Sequence, residues 1–85
     1  MAGYHLRDIK KGTLGELSKV REELEEAEDS QEQGVKIMLL VELSDMIGAI
    51  KAVAEKNGST LEDLIEMHKV TERAFKSGAR KWVNH

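Results

Sequence analysis

The stretch VKIMLLVELSDMIGAIKAVAEK, Val35 to Lys56, decides the fold. Apolar residues fall on nearly every side of a helix drawn through it, and between Ile37 and Ile50 the only charged residues are Glu42 and Asp45. A helix apolar nearly all round is a buried one, so residues 35–57 are expected to form the central helix of an all-α protein. Asn57-Gly58 supplies its C-terminal stop. At about 100° per residue, Glu42 and Asp45 point the same way as Val35, Met38, Met46, Ala49 and Val53, which places two carboxylates inside an apolar face. An unpaired buried carboxylate is costly, and two side by side repel, so a cation is expected beside them. Lys36 and Lys51 lie toward the ends of the segment. The cation is then a basic group from a partner chain or a hard divalent ion such as Mg²⁺, for which clustered carboxylate oxygens are natural ligands.

Toward the N-terminus, Thr13-Leu14-Gly15-Glu16 fits a capping box, in which threonine hydroxyl and glutamate satisfy orphan N–H groups reciprocally. A first helix is expected over 14–29, with Leu14, Leu17, Val20, Leu24 and Ala27 as its apolar stripe and Ser30 to Gly34 as the following turn. Toward the C-terminus, Ser59-Thr60-Leu61-Glu62 offers a second capping box. A third helix is expected over 60–77, facing inward through Leu61, Leu64, Ile65, His68 and Phe75 and stopping at Ser77-Gly78. Residues 1–13 and the tail from Ala79 read as irregular or as short helical extensions. No repeat, low-complexity segment or linker interrupts residues 1–85, which are read as a single domain.

The chain has 85 residues, 40% of them hydrophobic, with one Trp, one Tyr and one Phe, so its core must be aliphatic. So small a core has limited capacity to stabilise itself, and a dimer or larger assembly is expected. Absence of cysteine excludes a disulfide scaffold, thiolate metal sites and cysteine nucleophiles. Absence of proline favours helix. No apolar segment follows the N-terminal bases Arg7, Lys10 and Lys11, and the longest apolar run is Ile37 to Val41. Neither a secretory signal nor a membrane span is expected, which points to the cytoplasm. With a net charge of −3, general nucleic-acid binding is not expected. Charge is nonetheless unevenly placed: Glu16 to Glu32 holds eight acids against Lys19 and Arg21, a balance of −6, whereas His68 to His85 holds five bases against Glu72, a balance of +4.

The acidic first helix can complete the pair on the second. Glu23 lies beside Val20 and Ala27 at the edge of the apolar stripe, Glu26 follows one turn on, and Glu22 and Glu25 point farther outward. If the two helices pack antiparallel, Glu23 and Glu26 face Glu42 and Asp45 in a four-carboxylate nest. A solvated Glu-rich face and acids neutralised by arginines of a partner chain are the plainer alternatives.

Glu22-Glu23-Leu24-Glu25-Glu26, fifteen residues, and then Glu42-Leu43-Ser44-Asp45 resemble the EExxE and ExxD signature of the all-α nucleoside triphosphate pyrophosphohydrolases, the MazG-like and dimeric dUTPase-like superfamily. The resemblance covers about Leu14 to Arg73. It implies a three-helix protomer assembling into an oligomeric helical bundle, with Mg²⁺, or Mn²⁺ in its place, used to split a nucleoside triphosphate into monophosphate and pyrophosphate. Glu23 and Glu26 match the metal-binding positions of the first motif, and Glu42 and Asp45 those of the second. Glu22 matches the leading glutamate, a position tied in such enzymes to a further metal or to the orientation of water. The third helix departs from the lysine-then-Asn/Asp pattern of the family. Lys69, Arg73 and Lys76, with Arg80 beyond them, instead make a basic stripe at i, i+4, i+7 and i+11 that is expected to hold the phosphates or to be an ordinary solvated face.

His68 reads as a packed or interface residue, and His5 and His85 form no metal-spaced pair with it. Tyr4 and Trp82 are expected to pack rather than stack on a base, and Met38, Met46 and Met67 to fill the core. A non-catalytic helical oligomerisation or regulatory module, and a phosphoribosyl-ATP pyrophosphohydrolase-like enzyme, are the alternative functions.

Overall fold

The computed structural model, which describes residues 5–76, is built of three helices: α1 (Leu17–Gln33), α2 (Lys36–Lys56) and α3 (Leu61–Lys76). Among the described residues there is no strand, and no helix is long and apolar enough to cross a membrane. Tyr4, Arg80, Trp82, His85 and the expected stop at Ser77-Gly78 lie outside the described residues.

Helix ends differ from expectation where the local chemistry is more specific than a motif. Gly15 sits at φ +94°, a left-handed conformation that closes a turn instead of continuing a helix. The Glu16 N–H donates to the Thr13 carbonyl (3.0 Å) and Glu16 itself is extended, so α1 begins at Leu17 and the expected Thr13–Glu16 capping box does not form. The Thr13 N–H donates instead to the Ser18 hydroxyl (3.0 Å). At its other end α1 runs on past Asp29 through the segment expected to be a turn, and closes at Gly34. There the Gly34 N–H donates to Gln31 O (3.0 Å) and the Val35 N–H to Ser30 O (3.3 Å). The Asn57-Gly58 stop forms as expected, with Ser59 N–H donating to Ala54 O (2.9 Å). The cap of α3 is Thr60 rather than Ser59: its Oγ1 accepts the Asp63 N–H (3.0 Å), while the Ser59 hydroxyl donates to the Asp63 carboxylate (3.1 Å).

Only Gly34 and Val35 separate α1 from α2, so the two helices fold back as an antiparallel pair. Their seam is not the leucine stripe. Buried on α1 are Glu22, Glu23, Ala27, Asp29 and Ser30, and on α2 Glu42, Ala49 and Ala54. Leu14, Leu17 and Leu24 remain exposed, because the face turned inward is centred on Glu23, Ala27 and Ser30 rather than on Leu17 and Leu24. Small residues and carboxylates thus occupy the place of a large aliphatic core.

One chain covers only one face of α2. Ala49 is buried as the periodicity predicts, with Met38, Met46 and Val53 partly covered. Ile37, Leu40, Val41, Leu43 and Ile47 on the opposite side are exposed. Helix α3 has no buried residue. Leu61, Leu64 and Phe75 are half-covered, but Ile65 and His68 face solvent, contrary to the inward face expected for them. Leu64 meets α1 and α2 at an apolar cleft of about 340 Å³ lined also by Leu17, Val20, Ile50 and Val53. The radius of gyration, 15.4 Å, exceeds the roughly 11–12 Å of a compact chain of this length.

Residues before α1 form a strap that runs along it in the opposite direction. Arg7 meets Glu28 and Glu32 near one end of α1, and Gly12 meets Glu22 near the other. Gly12 lies so close to the α1 backbone at Ser18 and Lys19 that a Cβ there would overlap main-chain atoms.

Candidate metal centre

The i,i+3 spacing puts Glu23 and Glu26 on one face of α1 and Glu42 and Asp45 on one face of α2. Antiparallel packing sets the pairs against each other: carboxylate oxygens of Glu23, Glu42 and Asp45 lie within 4.8 Å of one another, as do those of Glu22, Glu23 and Glu26. The four residues expected to form a nest are therefore adjacent, though not equivalent. Glu42 is only 2% exposed and Glu23 is also buried, Glu26 is half-buried, and Asp45 stands exposed at the rim.

Glu22 is committed to the strap. Its Oε1 accepts the Gly12 N–H (2.8 Å) and a bond from Lys19 Nζ (3.1 Å), with Lys11 at 3.9 Å from its other oxygen. Burial would push its carboxyl up, but these donors and cations outweigh it and hold the pKa below the ordinary value. Lys19 also reaches Glu23 Oε1 (3.2 Å). Burial disfavours its charge, yet the two carboxylates more than compensate and raise its pKa.

The strap brings His5 into the nest, which periodicity alone does not foresee. Its Nδ1 lies 2.8 Å from Asp29 Oδ2, and its Nε2 lies 3.4 Å from Glu26 and 3.5 Å from Glu42. The same Asp29 oxygen accepts the Leu6 N–H (3.1 Å) and the Gln33 amide (2.9 Å). Burial opposes ionisation of Asp29, but the His5, Leu6 and Gln33 contacts prevail and its pKa is lowered. His5 and Asp29 are 24 positions apart. The signal available for this partnership was a second periodicity: Glu22, Glu26, Asp29 and Gln33 recur at helical spacing as a polar face of α1 beside the apolar one.

Within the nest the acids repel. Burial, then a carboxyl–carboxylate hydrogen bond to Glu23, then the charges of Glu23 and Glu42 push Glu26 up to about 7, against a smaller opposing effect of His5. Burial and the same two carboxylates raise Asp45, with Lys19 opposing. Glu23 Oε2 is buried and accepts no hydrogen bond, an expensive state for an oxygen unless a cation or proton meets it.

The basic stripe lies elsewhere. Lys69, Arg73 and Lys76 are exposed on α3, with Lys69 paired to Glu66 (2.9 Å) and Lys76 to Glu72 (3.7 Å), each on their own helix. Beside the acids, a cleft of about 290 Å³ between strap and α1 is lined by His5, Arg7, Lys11, Glu22 and Glu26 among others. Arg7 there is tied to Glu28 (3.3 Å) and Glu32, and the Glu32 contact, reinforced by Glu28, raises its pKa against the effect of burial.

No family model, curated protein or solved structure matches this chain.

What the site can do therefore follows from its donors. Oxygen-rich, partly buried and deficient in positive charge, it suits a divalent cation, whose binding would relieve the repulsion that raises Glu26 and Asp45. Glu23, Glu42 and Asp45 form one oxygen-only set and Glu22, Glu23 and Glu26 another, and Glu26 with Glu42 and His5 a mixed one.

Proposed function

We propose that this protein is a divalent-cation-dependent nucleotide pyrophosphohydrolase of the MazG-like, all-α kind, acting on a nucleoside triphosphate to yield the monophosphate and pyrophosphate. The observation that carries this is the juxtaposition of two i,i+3 acid pairs across an antiparallel helix pair, with Glu23, Glu42 and Asp45 oxygens within 4.8 Å of one another. Glu23, Glu26, Glu42 and Asp45 would hold the ion, Mg²⁺ or Mn²⁺. When bound, the ion supplies charge neutralisation for the phosphates and lowers the pKa of a coordinated water. Asp45, exposed at the rim, is the acid placed to meet solvent and substrate, whereas Glu42 and Glu23 anchor from below. Glu22 and Lys19 keep α1 and the strap in register and so position Glu23. In the reaction the water oxygen bonds to the α-phosphorus and gives up a proton to solvent, the bond from that phosphorus to the bridging oxygen breaks, and pyrophosphate leaves.

The test is a panel of canonical and damaged nucleoside triphosphates incubated with Mg²⁺ or Mn²⁺. Equal amounts of monophosphate and pyrophosphate are expected. Inorganic phosphate plus a diphosphate would overturn attack at the α-phosphorus. A second reading, a non-catalytic helical module that retains the metal nest, is favoured by one observation: Lys69 and Lys76 are paired within α3 and do not line the cleft beside the acids. Absence of turnover across the whole panel would put it first.

A homo-oligomer, dimer or tetramer, is part of the same proposal. Leu40, Val41, Leu43 and Ile47 on α2 and Ile65, Met67 and Val70 on α3 are exposed, and burying such a surface is worth about 25 cal/mol per Å². Sedimentation at micromolar concentration is expected to show no folded monomer.

A further inference from the structure

We propose that His5 is a metal ligand: the strap inserts an imidazole into the carboxylate nest, making it a mixed nitrogen–oxygen site for a first-row transition ion in preference to Mg²⁺. This rests on the metal-centre reading above and adds to it a residue from outside both acid motifs.

Orientation comes first. Asp29 Oδ2 already accepts the Leu6 N–H and the Gln33 amide, and His5 Nδ1 completes its coordination at 2.8 Å. A carboxylate accepts, so Nδ1 carries a proton, and in the form of the ring that takes an ion the lone pair lies on Nε2. Carboxylate–imidazole pairing of this kind orients histidine ligands and raises their basicity. Nε2 then points between Glu26 Oε2 at 3.4 Å and Glu42 Oε1 at 3.5 Å, two oxygens that are themselves acceptors. Donor atoms at about 2.1 Å from one ion with tetrahedral angles lie roughly 3.4 Å apart, so both distances from Nε2 suit ligands of a shared ion, and the three ligand atoms lie within 4.8 Å of one another.

Two further features separate this from a chance encounter of an N-terminal residue with acids. The site is built: the His5 side chain is 10% exposed and the Asp29 side chain 3%, and the strap that carries the ring is pinned by Gly12 against the α1 backbone and by Arg7 to Glu28 and Glu32. The adjoining Glu23, 5% exposed, turns into the nest an oxygen that accepts no hydrogen bond. An imidazole nitrogen adds little for Mg²⁺, which takes oxygen and water, but favours the transition ions.

The test titrates the protein, stripped of metal, with Mn²⁺ and with Mg²⁺, and records pulsed electron paramagnetic resonance of the Mn²⁺ complex. Tighter binding of Mn²⁺ than of Mg²⁺ is expected, with a ¹⁴N coupling from an imidazole. His5→Gln is expected to lose that coupling and at least about 10-fold in Mn²⁺ affinity, with the Mg²⁺ affinity nearly unchanged, and Asp29→Asn to fall between. A parent complex without ¹⁴N coupling overturns the proposal, whether or not His5→Gln folds. So does a His5→Gln protein that binds both ions more tightly, which would make the ring a built-in counter-charge. Glu42→Gln separates the two levels of inference: if it leaves both ions bound as in the parent, the metal centre itself fails, whereas its loss of binding beside an unaffected His5→Gln leaves the centre standing and removes only His5.

Discussion

The α1–α2 pair with its strap and the α3 helix are built on opposite terms. In the first, Glu22, Glu23, Asp29 and Glu42 are buried beside alanines, and backbone N–H groups and His5 of the strap, with Lys19 and Gln33 of α1, are directed at carboxylates of α1 and α2. In the second, no residue is buried, and the ion pairs Lys69–Glu66 and Lys76–Glu72 stay within one helix. Burial makes charge consequential, because an ion removed from water must find its partner inside the protein. Exposed pairs contribute little. Chemistry is therefore expected in the first region, and association with another chain through the exposed apolar residues of α3 and of the outer face of α2.

The largest effect should come from Glu42, the least exposed ligand candidate. Glu42→Gln keeps its size and removes its charge, and is expected to weaken divalent-cation binding at least about 100-fold and to abolish turnover, as read by titration calorimetry and pyrophosphate release. Should cation binding survive, the built region would be a structural polar network and the contrast with α3 would lose its functional meaning. Next is the strap. Gly12→Ala forces a methyl group into α1 main-chain atoms and is expected to cost about 1–3 kcal/mol in urea unfolding while releasing the Gly12–Glu22 bond.

A smaller effect is predicted from pH. Glu26 titrates near 7 in the folded protein against an ordinary 4.5, so between those values the folded state holds a proton the unfolded chain has released. Unfolding free energy of the metal-free protein should then fall as pH rises through that window. Glu22 and Asp29, with lowered pKa values, act oppositely: their contribution is present above their ordinary carboxylate range and lost on acidification. A stability maximum in mild acid is expected, seen as the urea midpoint against pH, with the decline toward neutrality removed by Glu26→Gln or by bound cation. The smallest effect belongs to α3. Lys69→Ala and Arg73→Ala should each change stability by less than about 0.5 kcal/mol and leave cation affinity alone. A large rise in KM with kcat unchanged would sharpen the comparison differently, showing that the stripe meets a nest after all, in the assembled oligomer.

The three helices and the two acid pairs were legible because both are local. Hydrophobic period marks α2, and three-residue spacing alone puts Glu42 beside Asp45 and Glu23 beside Glu26. Helix ends were less legible: Thr13–Glu16 matches a capping box, yet Gly15 prefers its turn and Ser18 takes the Thr13 N–H. The leucine stripe of α1 misled for a related reason. Period reports which residues share a face, not which of two overlapping faces will meet a neighbour, and here the polar-and-alanine face turned inward.

By itself, then, the sequence determined an all-helical chain with paired carboxylates on two neighbouring helices, since propensity and helical period act over a few residues. Only tertiary structure decided that Asp29 is buried instead of ending a helix, that Gly12 must lie against α1, and that His5 stands between Glu26 and Glu42. Those contacts join residues far apart in the chain: the polar period of α1 marks the face they use, but no local pattern says which strap residues take it. They exist because a strap without regular structure must place its N–H groups and its one imidazole somewhere, and the polar face of α1 offers the acceptors.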